Sequence, residues 1–237
     1  MKKSNHIFMA KIQKIIGSKK PAKSFFQQYS KADKKTQRSA IAEFITSYNY
    51  FTQSTHTIIN NTYESCPSKE FKTSLKSAHS WLGDKKTPIP KSCFKSTSDK
   101  TKKNFDFQKT PLVTAKFWGQ RLSEMSKNNW LGSLLGYYYI EGIFFKDEWQ
   151  NIAELANKNK LYGTELNEYF QHHWPITQPQ IETELTSLYD QSEDKEQFLA
   201  DAEQLIQTAF KVRQNYWQQL SQHIDSQYQE QDLKIAS

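Results

Sequence analysis

Two cysteines, Cys66 and Cys93, are all that 237 residues contain. They make no disulfide framework and match no zinc-finger spacing, so the reading is a reducing, cytoplasmic protein. Glycine and proline are equally sparse at seven each, which excludes a many-turned β-sandwich, a glycine-rich nucleotide fold or a collagen-like chain. No apolar run is long enough to span a bilayer: the best, Trp130 to Phe145, carries Glu141. The N-terminal run from Ile7 to Ala10 is interrupted at Lys11, leaving no signal-peptide core. What the chain does have is aromatic mass, with 15 Phe, 12 Tyr and 6 Trp. Such a composition builds a core and argues against disorder.

Charge is unevenly divided. Residues 1–110 hold 22 Lys and Arg against 7 Asp and Glu, while residues 111–237 hold 10 against 18. The basic half could meet a polyanion, but the acidic half would repel it and few aromatics are interleaved for base stacking. The expectation is therefore no specific nucleic acid and no membrane; a homodimer is left open.

Proline positions 21, 67, 88, 90, 111, 175 and 179 divide the chain into helical segments. Helices are expected at about 7–16, 34–63, 68–82, 112–127, 130–158, 164–173, 179–189 and 193–227. In the second, Ile41, Phe44, Ile45, Tyr48, Phe51 and Ile58 recur at helical spacing. Leu199, Ala202, Ile206, Ala209, Phe210, Trp217 and Leu220 line one face of the last. Residues 84–110, with eight Lys, read as a mobile surface connection, and residues 1–30 as a peripheral N-terminal segment. The fold class is all-α: one domain, 1–237, forming a bundle of about seven or eight helices.

Glu141 is the most informative acidic residue. Leu134, Tyr138, Glu141 and Phe145 stand at i, i+4, i+7 and i+11, which turns the carboxylate toward the core. A buried carboxylate needs a metal, a cation or hydrogen-bond donors. Tyr138, His173 and Arg213 are the candidate partners, Arg213 because it lies near the apolar face of the last helix; an internal salt bridge or a tyrosine hydrogen bond would satisfy the same demand. His172 and His173 close an aromatic helix before Pro175, and at most one of two adjacent His enters a site. His6, His56, His79 and His223 share no metal-ligand spacing and read as structural.

The run Leu134-Leu135-Gly136-Tyr137-Tyr138-Tyr139-Ile140-Glu141-Gly142, the helix ending Tyr169-Phe170-Gln171-His172-His173, and the long Ala- and Phe-containing final helix together resemble the heme-oxygenase-like superfamily. Within it, the likeness is to the iron-containing redox enzymes, the heme-oxygenase-like dimetal oxidases, relatives of the TenA thiaminases and the pyrroloquinoline-quinone synthases. It covers roughly residues 35–225. Those oxidases carry a Glu on a G-x-x-x-x-E helix and then a His-x3-Asp-x2-His pattern. Glu141 matches the first and His173 the second, so the resemblance implies these two as catalytic residues. Thr177 and Gln180 stand where Asp and His are called for, and neither replaces the hydration of an iron ion. Thr177-Gln178-Pro179-Gln180 reads instead as a capping box.

Glu64, Glu70 and His79 do not supply the earlier ligand pair at a clean spacing. Neither Cys66 nor Cys93 sits like the TenA nucleophile, and Arg38, Arg121 and Arg213 are too few for a synthase-like anion site. Gly142 alone does not make a heme-approaching distal helix. The expectation is a diverged dimetal-oxidase relative with no metal or other cofactor, binding or transforming a small organic molecule in a central pocket of Glu141, Tyr138, His172, His173, Thr177, Gln180 and Arg213. The alternatives are an active non-heme diiron oxidase with non-standard ligands, and a non-enzymatic helical interaction protein. If the chain is an enzyme, it is an oxidoreductase.

Overall fold

The computed structural model describes residues 2–19, 25–79, 112–159 and 176–235. The described residues are all helical, without a strand. In chain order they form α1 (Lys2–Gly17), α2 (Phe25–Tyr29), α3 (Lys34–Ser65), α4 (Lys69–Ala78), α5 (Val113–Ser126), α6 (Trp130–Gly132), a π-helix (Ser133–Phe144), α7 (Lys146–Lys158), α8 (Gln178–Gln191) and α9 (Lys195–Ile235). That is ten helical elements, more than the seven or eight expected. The excess comes partly from short α2 and partly from the segment 130–158, which reads as one helix and is three. The expected helix at 164–173, the connection 84–110, His172 and His173 all lie outside the described residues.

Local chemistry sets the ends. Asp33 caps α3, its carboxylate accepting from the backbone N–H of Lys35 at 2.7 Å and of Thr36 at 3.0 Å. Ser68 caps α4 through Phe71 N at 3.1 Å, one residue after Pro67 has closed α3. Asp194 accepts from Glu196 N and Gln197 N at the start of α9. Asn128 takes a left-handed φ of 52°, a conformation asparagine tolerates, and Asn129 then caps α6 by accepting from Gly132 N at 2.8 Å.

The π-helix follows directly. Its ten residues from Ser133 to Gly142 are all buried, so the segment has no solvent face. The wider i→i+5 pattern shows where it closes, with Phe145 N donating to Ile140 O at 3.2 Å. π-turns are rare and are concentrated at functional sites.

The core is one aromatic-rich cluster around this helix. α5 packs most extensively on α3, while α9 crosses both α5 and the π-helix. Gly119 permits the α3–α5 approach, since a Cβ there would lie 2.4 Å from Ser54 Oγ. Phe51 of α3 stacks on Trp118 of α5 at 3.8 Å, and Trp118 stacks in turn on Tyr216 of α9 at 4.8 Å. The N-terminal segment is not peripheral: Phe8, Ile12, Phe25 and Phe26 are core residues. Phe25 N also donates to the buried Glu148 Oε1 of α7 at 2.8 Å. No helix among the described residues is long and apolar enough to cross a membrane.

Candidate functional site

Three helices deliver one charged centre. Glu141 from the π-helix and Arg213 from α9 are both fully buried, and Arg213 Nη1 donates to Glu141 Oε2 at 2.9 Å. From α5, the Trp118 indole N–H donates to Glu141 Oε1, also at 2.9 Å. The Glu141 backbone is held as well, its carbonyl accepting from Trp149 Nε1 at 3.2 Å. A carbonyl in a π-turn is open to such a side-chain donor because the wider turn loosens the usual ladder.

Rings surround the guanidinium. Its carbon lies 4.3 Å from the Trp118 ring centroid, 4.4 Å from Trp217, 4.6 Å from Phe145 and 5.4 Å from Trp149. Such cation–π contacts offset part of the several kcal/mol that removing each ion from water costs. Burial pushes the Glu141 carboxyl above the usual carboxylate range, and the Arg213 charge and the Trp118 N–H oppose that rise without cancelling it. Tyr216 is likewise pushed up by burial, so its phenol stays protonated.

The guanidinium is incompletely used. Arg213 Nε and Nη2 are buried and have no acceptor among the described residues. Unused buried donors are costly, and a native structure retains few of them.

The residues expected to share a pocket are not all together. Glu141 and Arg213 meet as anticipated. Tyr138 lies elsewhere: it packs edge-on to Phe71 of α4 at 6.1 Å, and burial together with nearby Cys66 raises its pKa. Thr177 and Gln180 are exposed at the start of α8, where Gln180 Oε1 accepts from both Thr177 N and Thr177 Oγ1 at 2.9 Å. They serve as a helix start there, with Pro179 in the first turn. A groove of about 520 Å³ between α3 and α5 is lined by Tyr50, Ser54, Thr57, Gln120, Ser123 and Glu124, none of them among the expected site residues.

Trp118, Trp149, Trp217 and Phe145 are the site residues that sequence reasoning missed. The available signal was chemical: a buried tryptophan N–H usually finds an acceptor, and Glu141 is the carboxylate nearest the core pattern.

The donors that the described residues bring to Glu141 do not fit a metal. Both Glu141 oxygens already accept N–H groups, one from a cation, and among the described residues no three His, Cys, Asp or Glu side chains converge. A search against known family profiles, curated proteins and solved structures gives no match to the chain.

Proposed function

We propose that the chain is a diverged relative of the heme-oxygenase-like dimetal oxidases that lacks a complete metal site and binds, or transforms without metal, a small organic molecule at the Glu141–Arg213 centre. One observation carries the reading. Where the resemblance calls for a metal beside Glu141, the counter-charge is Arg213, 2.9 Å away and equally buried. A guanidinium neutralises a carboxylate without the second carboxylate and imidazoles that iron requires. The all-helical class agrees with the resemblance.

In this reading the chain's own groups bind and orient a ligand. Arg213 offers fixed donors, the Trp rings exclude water and raise the strength of each hydrogen bond, and Glu141 can exchange a proton. The test is elemental analysis of protein purified from iron-supplemented culture. The expected result is metal far below one ion per chain. Iron or manganese near two per chain, lost on Glu141→Ala, refutes the reading and favours the diiron oxidase.

A further inference from the structure

The free edge of Arg213 has a definite shape. Glu141 engages Nη1 alone, which leaves Nε–H and Nη2–H. These two are the parallel side-on pair of a guanidinium, the fork that matches the two oxygens of a carboxylate. Trp118, Trp217 and Phe145 pack around the same group, each ring centroid within 4.6 Å of its carbon, so the free edge is shielded from water.

We propose that Arg213 is the binding residue for a small carboxylate, held bidentate through Nε and Nη2, and that Glu141 takes up one proton as the ligand anion arrives.

The inference rests on the proposed function, whose ligand class it names. The proton follows from charge. Arg213 carries one positive charge and Glu141 already balances it, so a second carboxylate would leave a buried net negative charge. Protonating Glu141 removes that charge, and its neutral acid still accepts from Trp118. Burial already raises the Glu141 carboxyl, which makes the uptake less costly. Among the described residues, Tyr216 of α9 also faces the pair and stays protonated, while Glu43 of α3, which acts on Tyr216, lies 3.4 Å from His223 Nε2.

Acetate is the probe, titrated into the full chain at constant ionic strength with chloride as control. It is followed by tryptophan fluorescence, because three of the 6 Trp surround Arg213, and by calorimetry in buffers of different ionisation enthalpy. The expected result is saturable binding with uptake of about one proton, tightening up to about tenfold for each unit that pH falls until Glu141 is fully protonated. Arg213→Lys, which keeps the charge and loses the fork, is expected to abolish binding. Glu141→Gln leaves the arginine without a counter-ion, and is expected to bind acetate more tightly than the wild type and without the pH dependence. Should Arg213→Lys fail to fold, the Glu141→Gln titration and the proton count still decide. No saturable signal, an equal effect of chloride, or binding with no proton uptake overturns the inference. Metal content measured on the same protein separates the two claims: a metal-free chain that ignores acetate sinks the carboxylate site alone, whereas two metals per chain sink both.

Discussion

Replacing Arg213 by Met removes a guanidinium that is fully buried against an equally buried carboxylate. Glu141 then keeps one donor, the Trp118 N–H, and four aromatic rings lose the cation they surround. Breaking a buried pair from one side costs about 3–5 kcal/mol, because the surviving charge stays desolvated and uncompensated. For a chain of this size the loss lowers Tm by about 10 °C. Glu141→Gln leaves the opposite charge stranded and is expected to cost a similar amount. The double variant Glu141→Gln/Arg213→Met removes both charges of the pair, keeps an acceptor for Trp118 and fills the space with a flexible apolar side chain, so it returns to within about 2 kcal/mol of the wild type. Urea unfolding followed by far-UV circular dichroism, with equal m-values across the set, measures all three. Two costs that simply add in the double variant, within about 0.5 kcal/mol, refute the claim that these side chains form one electrostatic unit.

Three further outcomes are expected. A Cβ at Gly132 would lie 2.0 Å from the Met125 carbonyl oxygen, which is backbone and cannot swing aside, so Gly132→Ala costs about 3 kcal/mol or more; Gly119→Ala meets only the Ser54 side chain, and Ser54→Gly rescues it in the same melts. Burial of His79 lowers its pKa from 6.5 to about 4, so the unfolded chain binds the extra proton between these values and stability falls as pH drops through that window, by up to about 3 kcal/mol. His79→Gln flattens that acid limb, and an unchanged limb removes His79 as its cause. The Cys66 thiol, pushed up to about 11 by burial, reacts with a disulfide reagent at least about a hundredfold more slowly in native Cys93→Ser protein than in the same protein unfolded in urea.

Much of the helical order is legible in the sequence where a cap or a proline marks it. α3 begins at Lys34 as expected because Asp33 precedes a clean apolar period, and it ends within two residues of the expected Tyr63 because Pro67 follows. The face of α9 named from its spacing is the face that packs, with Ala202, Ile206, Ala209, Phe210 and Leu220 buried. The break at Phe145 is not legible: Phe144-Phe145-Lys146 contains neither glycine nor proline, and an i→i+5 ladder leaves no local mark in a run whose one charged residue is Glu141. Short α2 carries too few residues to show a period. The pairing of Glu141 with Arg213 could be anticipated, since a core-facing carboxylate needs a cation and few are near an apolar face. The assignment of Tyr138 to the same pocket rested on α-helical spacing, and the structure places its ring beside Phe71 instead.

The run from the π-helix into α7 makes the centre sensitive to chain length. Each residue of an α-helix advances the phase by about 100°, so removing one residue ahead of α7 rotates everything beyond it by about that angle. Glu141 and the Trp149 that binds its carbonyl are eight residues apart on either side of the turn at Phe145. A deletion of one residue between them leaves composition, hydropathy and core volume almost unaltered, yet it swings Trp149 and Phe145 out of phase with Arg213. The arginine would then lose two of the rings that cover it while keeping its carboxylate. The centre is thus indexed by the length of chain between Glu141 and Trp149, and insertion or deletion there disturbs it as surely as substitution.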